Sequence, residues 1–285
     1  MRMRALGFGE MLDEIFRFYR RNFGLLVLLS LAPVLPTLLL EIGSGQASQF
    51  GILGSLIATL GNPAATPGIP VPQVNVALLL ATYAVTVALV PFSTGLVPRA
   101  GIDLALGQPT DFRSAVVGTL RRYWGLLAVV VLYALVALLA VTCILLPLAV
   151  WILVRWTVAV PVLLAEGAGP IAALARSWQL TRGSWWRTLG ILVVVLLIQY
   201  VASSLLSLFG LPVAVLVPFV PEIVRGTIIV GTSTLGAAVV TPIWQLCFVL
   251  IYFDLRVRKE HLDLWQLADL AGAAARGHSY DGLPA

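Results

Sequence analysis

Residues 173 to 198 read "ALARSWQLTRGSWWRTLGILVVVLLI". Three arginines and three tryptophans stand together in the first part of this stretch, and no side chain from Leu189 to Ile198 is charged or polar. Arginine and tryptophan favour the headgroup level of a bilayer, whereas a run of aliphatic residues favours its hydrocarbon core. The stretch therefore predicts a helix that enters a membrane with its anchoring residues at the interface.

The composition extends this prediction to the whole chain. Hydrophobic residues make up 60% and charged residues 11% of the sequence, whereas a soluble domain carries about a quarter charged residues. A helix needs about 20 residues to cross a hydrocarbon core of roughly 30 Å. We therefore expect an all-α polytopic bundle of six transmembrane helices, and one integral membrane domain over residues 1–285. The predicted spans cover residues 24–42, 75–97, 124–142, 146–165, 189–209 and 228–252.

The basic residues predict how the bundle is oriented. Of the 18 lysines and arginines, 16 lie in residues 1–23, 98–123, 166–188 and 252–285, which six spans would place on one side. The positive-inside rule makes that side cytoplasmic, so we expect a multi-pass protein of the inner (plasma) membrane with both termini in the cytoplasm. Residues 253–285 would form a cytoplasmic helix and tail, and the uncharged loop 43–74 would be extracytoplasmic. Because the basic residues stand beside apolar segments, they indicate lipid headgroups rather than nucleic acid as the partner.

Three stretches resemble one another: "RRNFGLLVLLSL" from residue 20, "RRYWGLLAVVVL" from residue 121 and "SWWRTLGILVVVLL" from residue 184. An amphipathic segment precedes each, which predicts interfacial helices before spans 1, 3 and 5 and three copies of one interfacial helix followed by two spans. In the third copy, we expect Ile171, Leu174 and Trp178 to form the buried stripe. Arg176 would then point towards headgroups or a neighbouring cytoplasmic segment.

The sequence offers no set of catalytic or metal-ligating residues. Both histidines, His261 and His278, lie in the carboxy-terminal tail, and no predicted span contains an aspartate. A nucleophile with its base, or a pair of carboxylates, cannot be assembled from what remains. Cys143 and Cys247 stand in apolar runs without a second ligand at metal-binding spacing, which suits packing residues. We expect no catalytic site, no metal and no cofactor.

Arg155 is a charge inside a predicted span. Such a charge costs about 2.5 to 3.5 kcal/mol on insertion scales, so its side chain should face a partner or water. A functional role and a structural one remain equally open, because the side chain could instead extend to the interface beside Trp151 and Trp156 or bond carbonyls freed by prolines.

Other charged residues near the span ends suit either headgroup binding or structural ion pairs. Asp254 with Arg258 and Arg256 with Glu260 stand at helical i,i+4 spacing, where an ion pair contributes a few tenths of a kcal/mol. A carboxylate such as Glu166 or Asp254 could pair with Arg176. The candidate residues for lipid headgroup binding or ion pairing are Arg155, Glu166, Arg176, Trp178, Arg182, Arg187, Asp254 and Arg256.

Three segments carry a resemblance to a known family: "GEMLDEIFRFYRRNFGLL" near the start, "LLAEGAGPIAALARSWQLTRGSWWRTLGIL" in the middle and "YFDLRVRKEHLDLWQLA" near the end. They resemble the bacterial glycerophosphoryl diester phosphodiesterase membrane domain family, and the core "ALxRSWxL" is the most specific part. The resemblance implies a six-span membrane domain. It does not imply hydrolysis, because in members that are phosphodiesterases a separate soluble barrel carries the catalytic residues, which have no counterparts here.

These observations predict a non-enzymatic integral membrane protein that binds membrane lipids or a membrane partner, either another protein or a second copy of this chain. The alternative function is a transporter or channel subunit with a polar site near Arg155.

Overall fold

The structure is a computed structural model that describes residues 7–43, 76–141, 144–208 and 222–260. All regular secondary structure in these residues is helical. The helices are α1 (Phe8–Arg21), α2 (Phe23–Gly43), α3 (Val76–Ala105), α4 (Phe112–Leu120), α5 (Tyr123–Leu139), α6 (Leu146–Trp156), α7 (Ala159–Glu166), α8 (Pro170–Thr181), α9 (Trp185–Leu208) and α10 (Glu222–Glu260). The predicted loop residues 44–74, Cys143, both histidines and the tail from residue 261 lie outside the described residues.

Five helical segments are long and apolar enough to cross a membrane. They are Phe23–Ile42, Val76–Ala105, Leu146–Glu166, Trp185–Leu206 and Val230–Glu260. The pair α4 and α5, bent by 71° at their junction, gives a sixth if it is counted as one span. The predicted helical membrane bundle is thus confirmed, with five to six helices of spanning character.

Span four is broken, where the sequence predicted one helix over residues 146–165. Helix α6 ends at Trp156 and α7 begins at Ala159. Pro161 explains the break, because proline donates no hydrogen bond and its ring clashes with the carbonyl four residues earlier, which here belongs to Thr157. Two other helices are longer than the predicted spans: span two continues to Ala105, and span six belongs to the 39-residue helix α10.

Three helices, α3, α7 and α10, meet at the centre of the bundle. Helices α3, α7 and α10 each contact the other two. Around them, α2 packs on α3 and α10, α5 packs on α3 and α7, and α9 packs on α10 and α6. The buried side chains at the centre are aliphatic and include Ile102, Leu163 and Leu246.

The three short helices pack against the bundle. Helix α1 contacts α10, α4 contacts α3, and α8 contacts α5, α6, α7 and α10. Each stands directly before a long helix, as predicted. The residues that α8 buries are Ala173, Leu174, Ser177, Leu180 and Thr181.

Of the predicted buried stripe of α8, only Leu174 is buried within the bundle. Ile171 is 79% exposed and Trp178 is half-buried. Small residues explain the difference, because Ala173 and Ser177 let α8 lie close to α6 and α7. The Ile171 side of α8 is therefore left facing outwards.

Candidate functional site

Two arginines and two glutamates form an ion-pair network where α7, α8 and α10 meet. Arg176 Nε lies 3.4 Å from Glu166 Oε2, and Arg176 Nη2 donates to Glu260. Arg256 Nε lies 2.9 Å from Glu260 Oε2 and 3.9 Å from Glu166 Oε1. The Tyr252 hydroxyl donates to Glu166 Oε1 at 3.0 Å and accepts from Arg256 Nη1 at 3.0 Å. The four formal charges cancel, so this network joins three helices without a net charge.

Asp254 forms a second, more deeply buried cluster between α9 and α10. Its side chain is 0% exposed. It accepts hydrogen bonds from Arg187 and from Arg258, whose Nε lies 3.0 Å from Oδ2 and 3.2 Å from Oδ1. A buried carboxylate is tolerated only with partners of this kind. Asp254 thus ties the start of α9 to the end of α10.

Arg155 lies between two indoles. Its Cζ is 5.4 Å from the ring centroid of Trp151 and 5.3 Å from that of Trp178, and the two rings meet edge to face at 4.9 Å. Its Nε and Nη1 atoms are buried and have no hydrogen-bond partner among the described residues. A cation is attracted to an indole face, but a ring face does not accept the in-plane hydrogen bonds of a guanidinium.

The backbone of Arg155 is held by α8. Its carbonyl accepts hydrogen bonds from Ser177 Oγ at 2.8 Å and Thr181 Oγ1 at 3.2 Å. The break after Trp156 explains why this carbonyl needs outside donors, because the last carbonyls of a helix have no partner within it. The two hydroxyls therefore fix Arg155 beside the last turn of α8.

Lys259 brings a further positive charge to the end of α8. Its Nζ donates to the carbonyls of Gln179 at 2.8 Å and Arg182 at 2.6 Å. In the part of the chain that the structure describes, the ion pairs join other residues, and none involves Arg155, Arg182 or Lys259. We call these three residues the cation triad.

An open cavity of about 370 Å³ lies between the end of α3, the junction of α4 and α5, and the end of α7. We call it the arginine pocket, after Arg99, Arg121 and Arg122 in its lining. Arg99 is fixed by Asp103, at 3.0 and 3.1 Å, and by the Leu164 carbonyl at 3.2 Å. Arg122 Nη1 donates to the Gly167 carbonyl at 2.9 Å. Arg121 is exposed and has no ion-pair partner among the described residues.

Two glycines make room for the arginines of this pocket. A Cβ on Gly118 would lie 3.0 Å from Arg99 Nε, and one on Gly167 would lie 2.6 Å from Arg122 Nη2. Gly167 also has a φ of +68°, a left-handed conformation that other residues adopt at a cost. The pocket therefore depends on glycine at both positions.

Two titratable groups outside the spans have a shifted pKa. Burial raises the pKa of Tyr19 to about 12, and its hydroxyl donates to the Val239 carbonyl at 2.6 Å. Asp111, the N-cap of α4, has its pKa lowered by a hydrogen bond from Ser114. Tyr19 thus anchors α1 on α10, and Asp111 begins α4, so both groups have structural roles.

The structure groups the predicted site residues in three places. Glu166, Arg176 and Arg256 share the ion-pair network, and Arg187 binds Asp254. Arg155 lies against Trp178, and the Arg182 carbonyl accepts a hydrogen bond from Lys259. Glu166 and Asp254 were the two predicted partners of Arg176. In the structure, Arg176 forms an ion pair with Glu166, and Asp254 forms one with Arg187. Both predicted i,i+4 pairs of α10 are present. No role in ligand binding is tested by these contacts, so binding stays a prediction.

Sequence reasoning missed the arginine pocket, the participation of Lys259 and the pairing of Glu260 with Arg176. The signal for the pocket was available, because "RRYWG" at 121 resembles the stretch from which the other candidates came. Lys259 could not be found from spacing, since its partners are backbone carbonyls about 80 residues away. Among the described residues, no group of three or more histidine, cysteine, aspartate or glutamate side chains could hold a metal ion.

Comparison with known proteins finds no matching family model, no matching curated protein and no matching solved structure. The resemblance to the glycerophosphoryl diester phosphodiesterase membrane domain family therefore stays a prediction from the quoted segments.

Proposed function

We propose that this chain is a non-enzymatic integral membrane protein that binds anionic lipid headgroups at a basic surface on its cytoplasmic side. The observation that carries this proposal is the arginine pocket. Basic pockets between spans suit phosphate-bearing headgroups, and the planar guanidinium fork matches phosphate oxygens. Trp124, which follows the arginine pair and is 77% exposed, suits the interfacial level at which such a headgroup lies.

The charges around the pocket leave it positive. Asp103 neutralises Arg99, and Arg176 and Arg256 neutralise Glu166. Arg121 and Arg122 have no carboxylate partner among the described residues, so they supply the excess charge. A headgroup phosphate would supply acceptor oxygens to Arg121 and to the donors of Arg122 other than Nη1, which binds the Gly167 carbonyl.

Variants of this arginine pair test the proposal. The full chain in mixed micelles is titrated with phosphatidylglycerol or phosphatidylcholine at two salt concentrations. Arg121→Gln with Arg122→Gln should weaken the preference for phosphatidylglycerol by about 1 kcal/mol per residue, or about 30-fold together, and high salt should reduce the effect. Arg17→Gln with Arg113→Gln removes the same charge outside the pocket and serves as the control. An equal loss in both double variants would contradict the pocket.

We also propose that both termini are cytoplasmic. The support is the bias of 16 of 18 basic residues to one side. With Cys143 and Cys247 replaced by alanine, a cysteine introduced at position 62 should be labelled from outside, and cysteines at positions 108 and 280 should not. Labelling of position 108 from outside would contradict the topology.

The chain's three resembling stretches lead us to propose an internal triplication. The order of one short helix and two long segments supports it, since it occurs three times. The contacts of α1 with α10, α4 with α3, and α8 with α7 support it as well, because each short helix packs on the second long segment of the unit before it, in a closed ring. Asp103, Glu166 and Asp254 stand near the end of the second long segment in the three units, and each binds arginine.

A further inference from the structure

We propose that the cation triad, Arg155, Arg182 and Lys259, is a second binding site, separate from the arginine pocket, for one phosphate-bearing anion. Its ligand is either the phosphate of a lipid headgroup or a soluble phosphate. The proposal goes beyond lipid binding at the arginine pocket and uses none of that pocket's residues.

The Arg155 guanidinium is held in place but is only partly hydrogen-bonded. The Ser177 and Thr181 hydroxyls fix its backbone, and Trp151 and Trp178 fix the plane of its side chain. Its Nε and Nη1 atoms are nevertheless buried without a partner among the described residues. A buried donor without an acceptor is unfavourable, and more so when it is charged. The geometry thus holds a cationic donor in place for an acceptor that the surrounding helices do not supply.

Positive charge is concentrated at the end of α8. Lys259 Nζ donates to the Arg182 carbonyl, and Thr181, one residue earlier, donates to the Arg155 carbonyl, so three basic residues lie around the end of α8. No carboxylate lies within ion-pair distance of any of the three among the described residues. Their mutual repulsion would be relieved by an anion bound between them.

Phosphate fits this cluster better than a single carboxylate. It carries up to two negative charges and presents several acceptor oxygens, whereas a carboxylate carries one charge on two oxygens. Three cations on separate elements, the end of α6, the turn after α8 and the end of α10, suit an acceptor with oxygens in several directions. Arginine recognises phosphate by paired hydrogen bonds, and lysine does so as a point charge.

The test measures binding of two probes to the purified full chain. Inorganic phosphate is titrated in lipid-free detergent against sodium chloride at equal ionic strength, and phosphatidic acid is titrated in nanodiscs of phosphatidylcholine. Binding of inorganic phosphate would identify a soluble ligand, and binding of phosphatidic acid alone would identify a headgroup. Failure of both probes to bind would overturn the proposal.

Variants of the triad test whether the probes bind at these three residues. Arg155→Gln and Arg182→Gln should each weaken binding about tenfold, the usual effect of losing one charge-assisted hydrogen bond. Arg155→Lys keeps the charge but loses the paired donors, so it should bind between the wild-type chain and Arg155→Gln. Arg182 is exposed, so Arg182→Gln should fold and tests whether binding depends on the triad if Arg155→Gln does not fold.

Two controls separate this site from the arginine pocket. Arg113→Gln removes an exposed charge from α4 and should bind both probes like the wild-type chain. The double variant Arg121→Gln with Arg122→Gln should keep the triad-dependent part of binding, so a failed headgroup pocket and a failed triad give different results. Unchanged binding in both Arg155→Gln and Arg182→Gln would overturn the assignment.

Discussion

Arg176 and Arg182 stand six residues apart in the same stretch of sequence, yet their surroundings differ. Arg176 belongs to a network in which each arginine faces a carboxylate, Glu166 or Glu260. Arg182 belongs to the cation triad, where the described residues supply no carboxylate. Arg176 lies within α8 near Glu166 and Glu260, whereas Arg182 lies in the turn that follows α8, so the difference comes from where each residue stands relative to the helix end.

Arginines at this interface therefore fall into two groups, those that stabilise the bundle and those that are available to a ligand. Arginines with carboxylate partners hold helices together, and replacing them should affect stability. Arginines without such partners keep hydrogen-bonding capacity for a ligand, and replacing them should affect binding.

The largest loss of stability is expected at the Asp254 cluster. Asp254→Asn removes a negative charge that Arg187 and Arg258 share, at a carboxylate that is fully buried. Breaking a buried ion pair by removing one partner costs about 3 to 5 kcal/mol. Thermal unfolding in detergent should therefore show a clearly lowered midpoint.

A matched control for this variant is the exposed pair of Arg17 and Glu14, which lie 3.2 Å apart. Glu14→Gln should change the free energy of unfolding by less than about 1 kcal/mol, because exposed ion pairs contribute little. Equal losses in Asp254→Asn and Glu14→Gln would mean that burial does not distinguish the two pairs.

A smaller loss is expected at the turn between α7 and α8. Gly167→Ala forces an alanine to a φ of +68° and brings its Cβ to 2.6 Å from Arg122. The backbone alone should cost about 1 to 2 kcal/mol. Gly24→Ala is the control, because no heavy atom outside its own helix lies within 4 Å of its Cβ. An unfolding midpoint for Gly167→Ala as high as that of Gly24→Ala would contradict the described turn.

The smallest loss is expected at Arg176. Its side chain is 33% exposed, so solvent screens its ion pairs with Glu166 and Glu260. Arg176→Gln should lower the free energy of unfolding by about 1 kcal/mol and leave lipid selectivity unchanged. An unchanged melting temperature would count against the structural role of this residue.

The sequence predicted the class of fold because composition and apolar run length depend on few physical quantities. It placed the starts of span one and span four within a residue of α2 and α6, and it expected the short helices before spans 1, 3 and 5. It did not predict the break after Trp156, although Pro161 was visible. A proline in a membrane span is often accommodated without a break, so its effect depends on neighbouring helices.

The candidate site was predictable only in part. Pairs at i,i+4 spacing, such as Asp254 with Arg258, follow from helix geometry alone. The pairing of Arg187 with Asp254 and the contact of Arg155 with Trp178 depend on how α9, α10, α6 and α8 pack, which spacing does not determine. Lys259 was missed for the same reason, because it binds backbone carbonyls that carry no sequence signal.

The most direct measurement compares two variants in the same two assays. Native mass spectrometry gives the preference of the purified chain for phosphatidylglycerol over phosphatidylcholine, and thermal unfolding gives its stability. We expect the double variant Arg121→Gln with Arg122→Gln to lose most of the lipid preference and to keep the melting temperature. Arg176→Gln should keep the lipid preference and melt at a lower temperature. If Arg176→Gln lost the lipid preference while the double variant kept it, the proposed division between structural and ligand-binding arginines would be wrong.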